Sequence, residues 1–204
     1  MNMMRFTTMK TKLRKYPSIF LILLLAISSC FLTGCVNQHP KDSKKSSQGE
    51  SVETMLEITD PKEKQAVLNA KAKVKALSGN PRIVATSPAV ADICDKLDLD
   101  LVGVPKSSVS KIPSRYKKVK KVGLAMSPDM EIVSSLNPDW ILAPSSLETD
   151  LKPKFEELKN TEYAFLNLRS VQGMYRSVQE LGEIFGKQQE AEKMTKEFTT
   201  FYKS

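Results

Sequence analysis

From residue 82 onward, short apolar runs alternate with amphipathic stretches, and few residues join one to the next. Residues 82–86 (Arg-Ile-Val-Ala-Thr), 101–104 (Leu-Val-Gly-Val), 120–123 (Lys-Lys-Val-Gly), 139–143 (Asp-Trp-Ile-Leu-Ala) and 163–166 (Tyr-Ala-Phe-Leu) read as strands. Runs this short and this apolar suit strands covered on both faces. A helix opens at Ser87-Pro88-Ala89-Val90 and turns Ile93, Cys94 and Leu97 to one side. Residues 129–136 repeat the pattern with Met130, Ile132, Val133 and Leu136, and residues 148–158 form a third helix. From Ser170 the pattern stays helical to the end, broken near Gly186. Strands that alternate with helices are joined by crossovers, so the order predicts a mainly parallel, doubly wound α/β sheet.

A further helix precedes the alternation. Asp60-Pro61-Lys62-Glu63 places a capping carboxylate, a proline at the first position and an acid in the first turn. Val67, Leu68, Val74 and Leu77 follow at roughly helical spacing, and Gly79 supplies a stop. The lysines of this segment predict a mostly solvated helix.

Doubly wound sheets bind ligands beyond the carboxyl ends of their strands. That points to four loops, at residues 86–89, 105–108, 123–128 and 144–147. They offer hydroxyls, prolines and the thioether of Met126. None carries a glycine-rich phosphate loop, GxSxG, HExxH or CxxC. The chain's one histidine, His39, lies outside the alternating region. A histidine-based triad, acid–base pair or metal cluster has no candidate there. An exported enzyme on an α/β scaffold is the reading these loops argue against.

The N-terminus reads as an address. Residues 1–34 carry five basic residues and no acid, and residues 19–27 form an apolar core too short to span a bilayer. Leu32-Thr33-Gly34-Cys35 resembles the bacterial lipobox, which implies cleavage before Cys35 and acylation of its sulfur. Lipid, including palmitate, would then anchor the protein at the extracellular face of the cell membrane. Residues 35–59 are expected to form a lipidated tether, polar through residue 51. Once the leader is set aside, the formal charge falls from +8 to +3. The basicity is therefore no sign of nucleic acid binding. Cys94 is the lone cysteine left, which excludes an internal disulfide and suits a small buried hydrophobe.

Two stretches carry a family resemblance. Residues 82–108 (RIVATSPAVADICDKLDLDLVGVPKSS) and 122–143 (VGLAMSPDMEIVSSLNPDWILA) resemble the solute-binding proteins of ABC importers for iron-siderophores, cobalamin and haem. The more specific pattern is Gly-x-x-x-x-Pro-x-x-Glu-x-Ile/Leu-x-x-Leu-x-Pro-Asp. It appears here as Gly123, Pro128, Glu131, Ile132, Leu136, Pro138 and Asp139. Residues 115–133 are most similar to the haem-binding lipoproteins of that family. The family fold has two α/β lobes joined by a long helix, with ligand held between them. Residues 60–169 are expected to form the first lobe, and residues 170–204 its last helix and the start of the connecting one. The second lobe is expected to be absent. That would leave Met194, Phe198 and Phe201 without partners.

The resemblance implies that Met126 is an axial ligand to haem iron, a role suited to a soft, uncharged thioether. The family's opposing ligand is a histidine of the second lobe. Thr86, Ser87, Pro88 and Ala89 end a strand and begin a helix, so free amides there suit the haem propionates. Ser107 and Ser108 would add donors, and Ser145, Ser146 and Leu147 would complete the rim. Glu131 corresponds to a family glutamate that pairs with permease arginines. The implied partners are haem as transported ligand, an ABC permease, the membrane through the lipid, and cell-wall haem-relay proteins. The run from Arg115 to Lys121 reads first as a solvated loop, and the alternative is that it attracts propionates or anionic lipid. The other readings are a ferric siderophore or corrinoid as cargo, and a truncated lipoprotein without ligand.

Overall fold

The computed structural model describes residues 56–203, with side chains to residue 200. The leader, Cys35, residues 36–55 of the tether and the side chain of Phe201 lie outside the described residues.

The first helix, α1 (Pro61–Lys75), is capped as its sequence demands: Oδ1 of Asp60 accepts the amide of Lys62 at 2.8 Å. It ends before Gly79, because the amides of Ala76 and Leu77 turn back onto carbonyls of residues 72–74 and close the last turn. Only Val67 and Ala70 of α1 are buried. Three ion pairs tie it to the rest, Glu63 with Arg176 at 3.0 Å, Lys71 with Glu183 at 2.6 Å and Lys73 with Glu162 at 2.5 Å. Leu56 is also buried, and Ile58 packs on the core, so the packed domain begins earlier than the tether boundary expected at residue 59.

Five strands form one sheet: β1 (Ile83–Ala85), β2 (Leu101–Val104), β3 (Lys120–Lys121), β6 (Trp140–Pro144) and β7 (Glu162–Leu166). Their order is β3-β2-β1-β6-β7, and every neighbouring pair is parallel. Helix α2 (Pro88–Lys96) links β1 to β2, α3 (Met130–Ser135) precedes β6, and α4 (Glu148–Glu156) links β6 to β7. Two longer helices follow, α5 (Val171–Phe185) and α6 (Gln188–Lys203).

Alternate strand residues feed two cores, as the pleat requires. Ile83, Ala85, Trp140, Leu142, Ala164 and Leu166 meet Val90, Ile93, Leu97, Val178 and Leu181 on one face. Val84, Ile141, Ala143 and Phe165 meet Val133, Leu151 and Phe155 on the other. This burial on both faces is why the strands carry no polar alternation. Helices α2 and α3 are each followed by a residue in the left-handed region, Asp98 and Asn137, and α5 stops at Gly186 with φ of 71°. Helix α6 folds back on α5, with Met194 packed on the first core and Phe198 stacked on Tyr175 at 4.5 Å. Met194 and Phe198 therefore have the partners that the sequence did not assign them.

Candidate ligand-binding edge

The chain runs from β1 outward through β2 to β3, then returns to pair β6 with the other side of β1. The direction of winding reverses between β1 and β6, and the crevice for a ligand opens beyond the carboxyl ends at such a point. Thr86 and Ser87 follow β1, and Ser145 follows β6, so the topology brings two of the four predicted loops to the switch point.

The third loop is more ordered than its sequence suggested. Residues 123–128 form a hairpin of β4 (Gly123–Leu124) and β5 (Ser127–Pro128), with Ala125 and Met126 at its tip. Gly123 sits at φ +96°, and a Cβ there would lie 2.9 Å from the Asp129 amide. The hairpin base is held by the amide of Lys106 donating to Gly123 O at 2.6 Å and that of Asp129 donating to Val122 O at 2.7 Å. Met126 is 73% exposed and Leu124 59% exposed. A thioether at the tip of a fastened hairpin is not core filler. It presents a soft donor at the carboxyl edge, with Leu124 beside it as apolar surface.

The hydroxyls expected to bind are mostly spoken for. Thr86 is buried, and its Oγ1 donates to Leu142 O at 3.3 Å. Ser87 is buried too, and its Oγ accepts the Val90 amide at 3.3 Å as the cap of α2. The Thr86 amide donates to Leu142 O at 3.0 Å and Pro88 has no amide to give, so at residues 86–89 the amides of Ser87 and Ala89 remain candidate donors, Ala89 being the exposed one. The Oγ of Ser107 accepts the Ser110 amide at 3.0 Å. Ser108 and Ser146 are exposed and Ser145 half-buried. Leu147 packs against the second core rather than standing on the rim. It ends a short 3-10 turn (Ser145–Leu147) that leads into α4, and it is half-buried.

Glu131 is exposed in the first turn of α3, capped by Asp129, whose Oδ1 accepts the amides of Glu131 and Ile132 at 3.1 Å. It lies just after the hairpin, on the same edge. Arg115 does not belong to the site. It lies toward the amino ends of the strands, where it meets Asp98 at 2.9 Å, Asp100 at 2.8 Å and, at 3.8 Å, Asp95. Lys187 and Arg115 together hold the Asp98 carboxyl below its usual range.

Sequence reasoning passed over Leu124, Val109 and Val171, all exposed and all in segments that leave the carboxyl ends of strands. Large apolar side chains outside the buried pattern were the available signal. Burial pushes the Cys94 thiol up to about 12, which removes it as a nucleophile. Among the described residues, no three of His, Cys, Asp or Glu are grouped to hold a metal ion. One apolar cleft of about 430 Å³ opens elsewhere, between α1, α5 and α6, lined by Leu56, Val67, Leu68 and Ala191. No strand end reaches it.

A parallel sheet with a switch point and an exposed apolar edge defines a ligand-binding α/β lobe. The chain belongs to the periplasmic binding protein family, whose model matches residues 83–204. It is 36% identical over 117 residues to the high-affinity heme uptake system protein IsdE of Staphylococcus aureus, over 57% of this chain and 39% of that protein. The crystal structure of S. aureus IsdE complexed with heme is matched at a TM-score of 0.56 and 34% identity, over 60% of this chain and 46% of that one. An ABC transporter substrate-binding protein from Listeria monocytogenes EGD-e is matched at 0.57 and 44%, with the same coverage. The chain thus spans less than half the length of these relatives.

Proposed function

We propose that this chain is the ligand-binding lobe of a membrane-anchored lipoprotein that captures haem and passes it to an ABC permease. The observation that carries the reading is Met126, an exposed thioether on a fastened hairpin at the carboxyl edge of the sheet. Sulfur of this kind binds haem iron, whereas siderophore iron is already saturated by hard oxygen donors. Similarity to a protein crystallised with heme supports the same cargo. The mechanism is capture without covalent chemistry. Leu124 and its neighbours cover one porphyrin face, Met126 contacts the metal, and the Ala89 amide with Ser108 and Ser146 meets the propionates. Glu131, on the same edge, orients the lobe on permease arginines. Acylated Cys35 holds the protein at the extracellular face of the membrane.

The test is a haem titration of the full chain followed in the Soret region, set against Met126→Ala. A shifted band that the variant loses is the expected result. Identical spectra would remove the ligand assignment. Binding of a ferric siderophore or corrinoid without haem binding would change the cargo.

A further inference from the structure

The charge of the domain is polarised. Residues 101–128 hold Lys106, Lys111, Arg115, Lys117, Lys118, Lys120 and Lys121 and no acid. The other residues from 56 to 203 carry 16 basic and 20 acidic side chains. The fold collects the basic segment at one place. β3 is the edge strand of the sheet, and residues 105–119 connect it to β2. Arg115 is consumed by three aspartates, but all six lysines are exposed, and none enters an ion pair of the described residues.

Edge protection accounts for part of this, since lysines on an edge strand discourage pairing with another chain. Lys120 and Lys121 suffice for that. Lys106, Lys111, Lys117 and Lys118 lie off the strand. Among them stands Val109, 95% exposed, between Lys106 and Lys111. An apolar side chain fully in water and flanked by lysines suits the boundary between headgroups and acyl chains.

We propose that this edge docks on an anionic phospholipid surface, with the six lysines on the phosphates and Val109 in the headgroup layer. The proposal rests on the membrane anchoring suggested above and adds an orientation to it. β3 leads directly into the hairpin, so docking holds Met126 and Glu131 beside the bilayer, where a permease opens. Each lysine near such a surface adds about a fivefold preference for it.

The experiment uses the full chain mixed with vesicles of phosphatidylcholine alone or of phosphatidylcholine with phosphatidylglycerol. Amide hydrogen exchange is followed across residues 105–121. Exchange slowed several-fold on the anionic vesicles only, and restored by high salt, is the expected result. The full chain carrying Lys117→Gln, Lys118→Gln, Lys120→Gln and Lys121→Gln should lose the slowing while keeping its Trp140 emission. Equal exchange on both vesicles overturns the proposal, as does slowing by inorganic phosphate alone. Recovery with phosphatidylcholine vesicles reports the anchor separately, and the haem spectrum of the lysine variant reports the cargo.

Discussion

Glu180 should make this domain lose stability as pH rises through the neutral range. Its side chain is 1% exposed on α5, and neither carboxylate oxygen has a hydrogen-bond partner. Glu63 of α1 and Arg176 of α5 are the charged groups that act on it. Arg176 already donates to Glu63 at 3.0 Å, which leaves Glu180 as the second acid beside one base. Burial first, and Glu63 second, push its carboxyl from 4.5 up to about 8. The folded state therefore holds a proton that the unfolded state releases. Stability from this group is fully present below pH 4.5 and drains away as pH rises toward 8. At 1.36 kcal/mol per tenfold change in proton affinity, the total is on the order of 5 kcal/mol. Glu180→Gln keeps the shape and removes the titration. Urea unfolding between pH 5 and 8, followed by the emission of Trp140, compares the two. The chain has one tryptophan, and it is buried in the domain. The single histidine, His39, lies outside the described residues. A falling midpoint in the parent and a flat one in the variant are expected. Parallel midpoints would refute the reasoning, because they would mean that Glu180 is ionised and paired in the folded state.

Three further outcomes follow from the packing. Met126→Ala should leave the unfolding free energy within about 0.5 kcal/mol of the parent, because the side chain is exposed, while abolishing the haem band shift. Tyr116→Phe should cost about 1–2 kcal/mol in the same unfolding assay, since its hydroxyl donates to the buried Leu99 carbonyl. Gly182→Ala would place a methyl 2.6 Å from the Ala191 Cβ and 3.1 Å from Lys187 O. It should force α5 and α6 apart, cost about 1–3 kcal/mol, and speed amide exchange in α6.

Much of the candidate site could be read from residues 86–89 and 123–128, because a parallel sheet confines binding to one edge whatever its strand order. What those residues do there was only partly readable. Thr86 and Ser87 looked like sources of free amides, but the Thr86 amide and hydroxyl both donate to the Leu142 carbonyl, and Ser87 is buried as the cap of α2. Leu147 looked like rim and is half-buried against the second core, at the end of a 3-10 turn. Arg115 looked available and is held by aspartates up to 20 positions before it in the chain.

The alternation of strands and helices, the caps at Asp60, Ser87 and Asp129, and the stop at Gly186 were decided locally. Each depends on side chains within a few positions of the backbone groups they satisfy. The winding reversal between β1 and β6, the exposure of Met126 on its hairpin, the stranding of Glu180 and the collection of six lysines on one edge were decided by tertiary structure. Those properties depend on which distant segments lie alongside one another, and local periodicity carries no record of that.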